Sequence, residues 1–155
     1  MGGAEYSLSE GNSNGFIEYM DHGNLTEAWG YTSPKSLTTG LSKVSISPIA
    51  AQNSKALFLT MAHETGHAYA SFLGLGRSLI DLKANNIGWE ELADTEHFAI
   101  YKLENFTALK NNIPIIGKLS TVRLDSFFRR LSTTERSSIS SIYEKLLPIF
   151  DRVMK

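Results

Sequence analysis

His63-Glu64-Thr65-Gly66-His67 stands inside a run, residues 56–74, that is otherwise apolar on nearly every side. Histidines four apart lie about 40° apart around an α-helix, so both rings can face one point while the glutamate beside the first reaches it from the flank. Ala56, Leu59, Thr60 and Ala70 share the histidine face, and Leu57, Phe58, Met61, Ala62, Tyr69, Phe72 and Leu73 cover the rest, which predicts a helix buried on most sides. Two imidazoles and a carboxylate in such a helix cost stability unless they have partners. A metal ion is a partner that suits them: neutral imidazole nitrogens bind Zn²⁺ at roughly 2.0–2.1 Å, and a rigid helix presents two of them already ordered. The glutamate is expected to act on water rather than on the ion, taking a proton and passing it to a leaving amine.

A catalytic metal needs three protein ligands and one open position. Of the remaining histidines, His22 sits in the tetrad Asp21-His22-Gly23-Asn24 and reads as a turn residue, while His97 follows the acidic run Glu90, Glu91, Asp94, Glu96. Glu90 and Asp94 are four apart, hence on one face of a second helix, where the first can bind the ion and the second can accept a hydrogen bond from a ligand histidine. Glu91 and Glu96 compete for the third place, and Glu96 shares a face with Trp89, Leu92, Ala93 and Ile100.

His63-Glu64-x-x-His67 followed by Glu90-x-x-Ala93-Asp94 resembles the gluzincin metallopeptidases, over roughly residues 44–101. The resemblance implies that His63, His67 and Glu90 bind zinc, that Glu64 is the general base and acid, and that Asp94 supports His63. It also implies a zincin-like fold in which an edge strand flanks the zinc helix and aligns a peptide substrate. The metzincin pattern requires a third histidine soon after His67, where Gly74 and Arg77 stand instead.

The rest of the chain frames this centre. At 155 residues with 42% hydrophobic content, one domain with a real core is expected. Residues 1–15, rich in Gly, Ser and Asn, read as a flexible leader, leaving a single domain over 16–155. The net charge of −1 gives no reason to expect nucleic acid or an anionic membrane surface. No run is apolar and long enough to span a bilayer, and residues 1–15 lack the basic start and apolar stretch of a signal peptide. Cysteine is absent, so disulfides are excluded.

Residues 16–20 and 25–31 read as two strands of a hairpin around Gly23, and residues 43–47 as an edge strand closed by Pro48. Gly74-Leu75-Gly76 stops the central helix. The stretch beyond Asn105 through Ser120 reads as loop and 121–131 as a short amphipathic helix. Ser132-x-x-Glu135 opens a further helix with Ile139, Ile142, Tyr143, Leu146 and Leu147 at helical spacing, which Pro148 breaks or kinks. The class is therefore α+β, a few N-terminal strands followed by a mostly helical C-terminal half.

The function these residues lead one to expect is that of a small zinc-dependent endopeptidase acting on a peptide or protein. Tyr101, His97, Tyr143 and Arg123 are candidate donors to the oxyanion. Two alternatives stand beside it. One is a regulatory or effector domain of a larger protein that cleaves a single partner. The other is a non-catalytic module whose zinc is a structural staple, closed by a fourth ligand such as His97 or Glu96.

Overall fold

The computed structural model describes residues 4–21, 23–88, 90–115 and 119–153, with the side chains of 21 and 90 left aside. His22, expected in a turn, and Trp89 lie outside the described residues. The fold is α+β, and the chain divides into two compact units, Met1–Leu73 and Gly74–Lys155.

The first unit carries β1 (Ala4–Leu8), β2 (Ile17–Asp21), β3 (Asn24–Ala28), β4 (Gly30–Thr32), β5 (Ser42–Ile46), α1 (Pro48–Ala51) and α2 (Ser54–Phe72). Along β5, Ser42, Val44 and Ile46 are buried while Lys43 is exposed, the alternation of a strand with one covered face. It is not the edge strand expected at 43–47. β1 pairs with it in parallel on one side, Tyr6 opposite Val44, and β4 pairs antiparallel on the other, Tyr31 opposite Ser45. Alternation reports which face of a strand is buried and is silent on whether its two backbone edges are taken.

β1 corrects the expectation of a flexible leader over 1–15. Its side chains are mostly exposed, so no apolar pattern announces it, and its order comes from backbone pairing with the distant β5. Behind it the glycine-bearing turn is fixed: Gly15 holds φ +83° and its carbonyl accepts from Ile49 N at 3.0 Å, against the start of α1.

The hairpin forms as expected, with Asp21 opposite Asn24 and a two-residue connection in which Gly23 takes φ 82°. The run 25–31, however, is not one strand. β3 ends at Ala28, and after Trp29 the chain enters the other sheet as β4. Glu18 and Glu27 face each other across the hairpin, and the Asn12 amide donates to both at 2.7 Å while its oxygen accepts from Asn14 N and Phe16 N.

Helix α2 packs on β5 and β4. The core of this unit joins Val44, Ile46, Ala50 and Ala68, with Leu57 and Met61 packed against it. Asn53 caps α2, its side-chain oxygen accepting from Lys55 N and Ala56 N, and Gly74 at φ 64° follows the last turn.

The second unit holds a 3₁₀ turn at Glu90–Leu92, α3 (Thr95–Lys110), α4 (Thr121–Arg130) and α5 (Thr133–Val153). Helix α5 buries Ile139, Ile142, Leu146 and Phe150, one stripe at helical spacing, and packs on α3, which buries Phe98 and Leu103. Its expected capping box is formed: Ser132 N donates to Glu135 Oε1 at 3.0 Å and Glu135 N to Ser132 Oγ at 3.1 Å. Glu135 also accepts from Asp81 N and the Asn85 amide, which ties the preceding loop to this helix start. The helix continues through Pro148 to Val153 rather than breaking there.

Helix α3 runs on to Lys110, past the Asn105 after which loop was expected; Asn105 is itself buried and its amide donates to Leu119 O at 2.7 Å. No helix among the described residues is long and apolar enough to cross a membrane.

Candidate metal centre

Nothing in α2 interrupts the helix between His63 and His67, so both rings leave the same side one turn apart. Their Nε2 atoms lie 3.2 Å from each other, with ring centroids 4.9 Å apart and planes at 69°. Two donors on one tetrahedral ion at zinc–nitrogen distance stand about 3.3 Å apart, so the pair has the spacing a single ion requires. Both histidines are half-buried.

Glu64 turns another way. It is only 7% exposed and lies under β4, where Thr32 Oγ1 donates to its Oε2 at 2.5 Å. Gly30, two residues earlier on that strand, leaves the space that this arrangement needs. A Cβ there would fall 2.7 Å from Glu64 Cγ and 2.9 Å from its Oε1. On the next helical position, Thr65 Oγ1 shares a hydrogen bond of 2.5 Å with the Tyr6 hydroxyl of β1. The glutamate of the motif is thus buried with a hydroxyl partner.

In the second unit the arrangement around Asp94 differs from the expected one. Glu90 and Asp94 do not share a helix: Glu90 is in the 3₁₀ turn, and Asp94 is the N-cap of α3 with extended backbone, φ −138° and ψ 162°. An aspartate before a helix gains more as a cap than inside it, because its carboxylate answers an amide that no carbonyl reaches. Here Asp94 Oδ1 accepts from His97 N at 2.8 Å and Oδ2 meets His97 Nδ1 at 2.8 Å. The segment before it is pinned by a bridge between Leu79 and Asp94 and by Ile80 N donating to Ala93 O.

Burial alone would raise the Asp94 carboxyl, but the His97 hydrogen bonds and the Arg77 charge, 3.9 Å away, hold it below its ordinary value. Asp94, expected to support His63, is bonded to His97. A carboxylate on Nδ1 is the usual support of a ligand histidine.

In α2 the His63 and His67 ring nitrogens have the spacing of one ion, and in α3 the ring of His97 is held by the Asp94 carboxylate. Imidazole nitrogens are donors that Zn²⁺ accepts at catalytic sites, so the histidine pair of α2 fits the ion the motif implies. The side chain of Glu90 lies outside those described. The sequence carried a signal for His97 that spacing to His67 does not reveal. In Asp94-Thr95-Glu96-His97 a capping residue stands three before a histidine, the spacing at which a cap carboxylate can hold an imidazole.

Among the expected oxyanion donors, Tyr143 lines a cavity of about 190 Å³ in the second unit with Lys102, Asn105, Phe106, Leu124 and Asp125. Burial pushes its phenol pKa up, and burial lowers that of the neighbouring Lys102, whose ammonium lies 4.2 Å from the Phe128 ring centre. Tyr101 is half-buried and Arg123 exposed. Compared with protein-family models, with curated proteins and with solved structures, the chain matches none.

Proposed function

We propose that this chain is a zinc-dependent peptidase of zincin type in which His63, His67 and His97 hold the ion and Glu64 moves the proton. The observation that carries the reading is the pair of Nε2 atoms 3.2 Å apart on a helix that also bears a buried glutamate, and His97 on α3 has the carboxylate support of a ligand histidine. Bound there, Zn²⁺ supplies a Lewis acid that polarises a carbonyl and acidifies water. Glu64 takes the water proton on its carboxylate and delivers it to the departing amine. His97 replaces Glu90 as the third ligand in this reading, and Asp94 orients His97 rather than His63.

A peptide substrate is favoured by the edge of the three-stranded sheet. Ser47 N donates to Trp29 O and Ser33 N to Lys43 O, so residues 29, 31 and 33 are those bonded to β5. Gly30 and Thr32 therefore turn their backbone N–H and C=O groups away from β5, along the sheet edge. An extended peptide adds to such an edge by main-chain hydrogen bonds, beside the strand that covers Glu64.

The test is elemental analysis of purified protein together with hydrolysis of a broad quenched-fluorescent peptide library. About one zinc per chain and hydrolysis that falls by ~10²–10⁴ in Glu64→Gln, with metal retained, are expected. Full zinc occupancy with no cleavage of any peptide would move the assignment to the structural staple or to an enzyme with a single partner.

A further inference from the structure

Among the described residues of the first unit, Glu64 is the only charged side chain in the buried set, and two residues of one three-residue strand act on it. Thr32 gives it a hydroxyl proton, and the missing Cβ of Gly30 gives it room. A carboxylate in so dry a place has several rotamers open to it unless a donor selects one, and a charge-assisted hydrogen bond is among the stronger selectors a protein has. From this geometry we infer that Thr32 is a positioning residue for Glu64: its hydroxyl fixes the carboxylate of the proton-transferring group, and Gly30 keeps the place clear.

The inference rests on the peptidase reading for its consequence in catalysis, while the fixing of the carboxylate stands apart from it. Strand geometry makes the coupling direct. In a strand the side chain stands perpendicular to the sheet while the backbone groups lie within it. Thr32 can therefore hold Glu64 through its side chain and meet an added peptide strand through its N–H and C=O. Substrate and base would then be located from one residue, so that a peptide seated on β4 is in register with the carboxylate without further adjustment. Misplacement of a catalytic group by about 1 Å costs on the order of 10²-fold in rate.

The experiment uses the full chain labelled with ¹³C at glutamate carboxyls, the Glu64 resonance being identified by its loss in Glu64→Gln. Thr32→Val keeps the shape and removes the hydroxyl, whereas Thr32→Ser keeps the hydroxyl. Thr32→Val should shift or broaden the Glu64 resonance with the thermal melt otherwise cooperative, and Thr32→Ser should restore it. Gly30→Ala, whose methyl falls on Glu64, should shift the same signal. In zinc-loaded protein, hydrolysis of the peptide library should lose about 10–100-fold in kcat with KM unchanged in Thr32→Val, and recover in Thr32→Ser. An unmoved Glu64 resonance in Thr32→Val overturns the inference, and so does a moved resonance with kcat unchanged. If wild type cleaves no peptide, the peptidase reading fails while the resonance still decides whether Thr32 fixes the carboxylate.

Discussion

Helices α2 and α3 each carry histidine of the proposed metal set, and they hold it by different means. In α2 the helix repeat alone aligns His63 with His67, and their Nε2 atoms stand 3.2 Å apart. In α3 a single histidine is held at the first turn by the cap residue, Asp94, which bonds both its backbone and its ring. A repeat is written in the spacing of residues, so it survives any small error in where the helix begins. A cap is defined by the helix boundary itself, and moving that boundary by one turn changes which residues share a face. The expectation that Glu90 and Asp94 share a helical face failed for this reason.

The difference can be broken most forcefully in α2. His63→Ala and His67→Ala should each take zinc content from about one per chain to none after mild purification, read by elemental analysis. Retention of full occupancy when both are replaced would remove α2 from the site. Next comes the contest for the third ligand. His97→Ala should weaken zinc affinity by more than the roughly 10–100-fold typical of losing a supporting hydrogen bond, and Glu90→Ala should leave it unchanged. The reverse ranking, measured by competition with a chelator, would return Glu90 to the site.

Asp94→Ala should then fall within that 10–100-fold range, and it should also cost about 1 kcal/mol of stability through the lost cap. A stability loss with unaltered zinc affinity would show that Asp94 caps α3 without orienting a ligand. The smallest effect belongs to a cap far from metal chemistry. Glu135→Ala should destabilise by about 0.5 kcal/mol, the low end of a cap's contribution, measured by denaturant titration at neutral pH. Burial alone would raise the Glu135 pKa, but hydrogen bonds from Ser132 N, Asp81 N and the Asn85 amide hold it below its ordinary 4.5. A lowered carboxyl pKa contributes stability that is full above the ordinary value and lost as pH falls through the lowered one. The gap between wild type and Glu135→Ala should therefore close on acidification below 4.5.

What was legible follows the same division. The α2 helix, the Gly23 hairpin, the Ser132–Glu135 capping box and the Ile139 to Leu146 stripe are local patterns, and each stands in the structure. β1 and the interior position of β5 depend on pairing between residues far apart in sequence, for which an exposed five-residue strand gives no sign. The split after Ala28 was likewise hidden, since an extended run reads the same whether it continues in one sheet or enters another. Of the site, the histidine pair of α2 could be read from spacing and the role of Asp94 toward His97 could not, because capping competes with helix continuation by a small margin of backbone geometry.

Asn12 gives the hairpin a property of its own. Glu18 and Glu27 are directly opposed like charges, an arrangement that opens a two-stranded ribbon already marginal in isolation. One neutral amide donates to both, so it holds them together without cancelling either charge. The ribbon is thereby made sensitive to ionic strength: dissolved salt shortens the reach of the repulsion, to about 8 Å near 0.15 M, and leaves the amide bonds in place. The hairpin should tighten as salt is added, in contrast to an element clasped by an ion pair, which loosens.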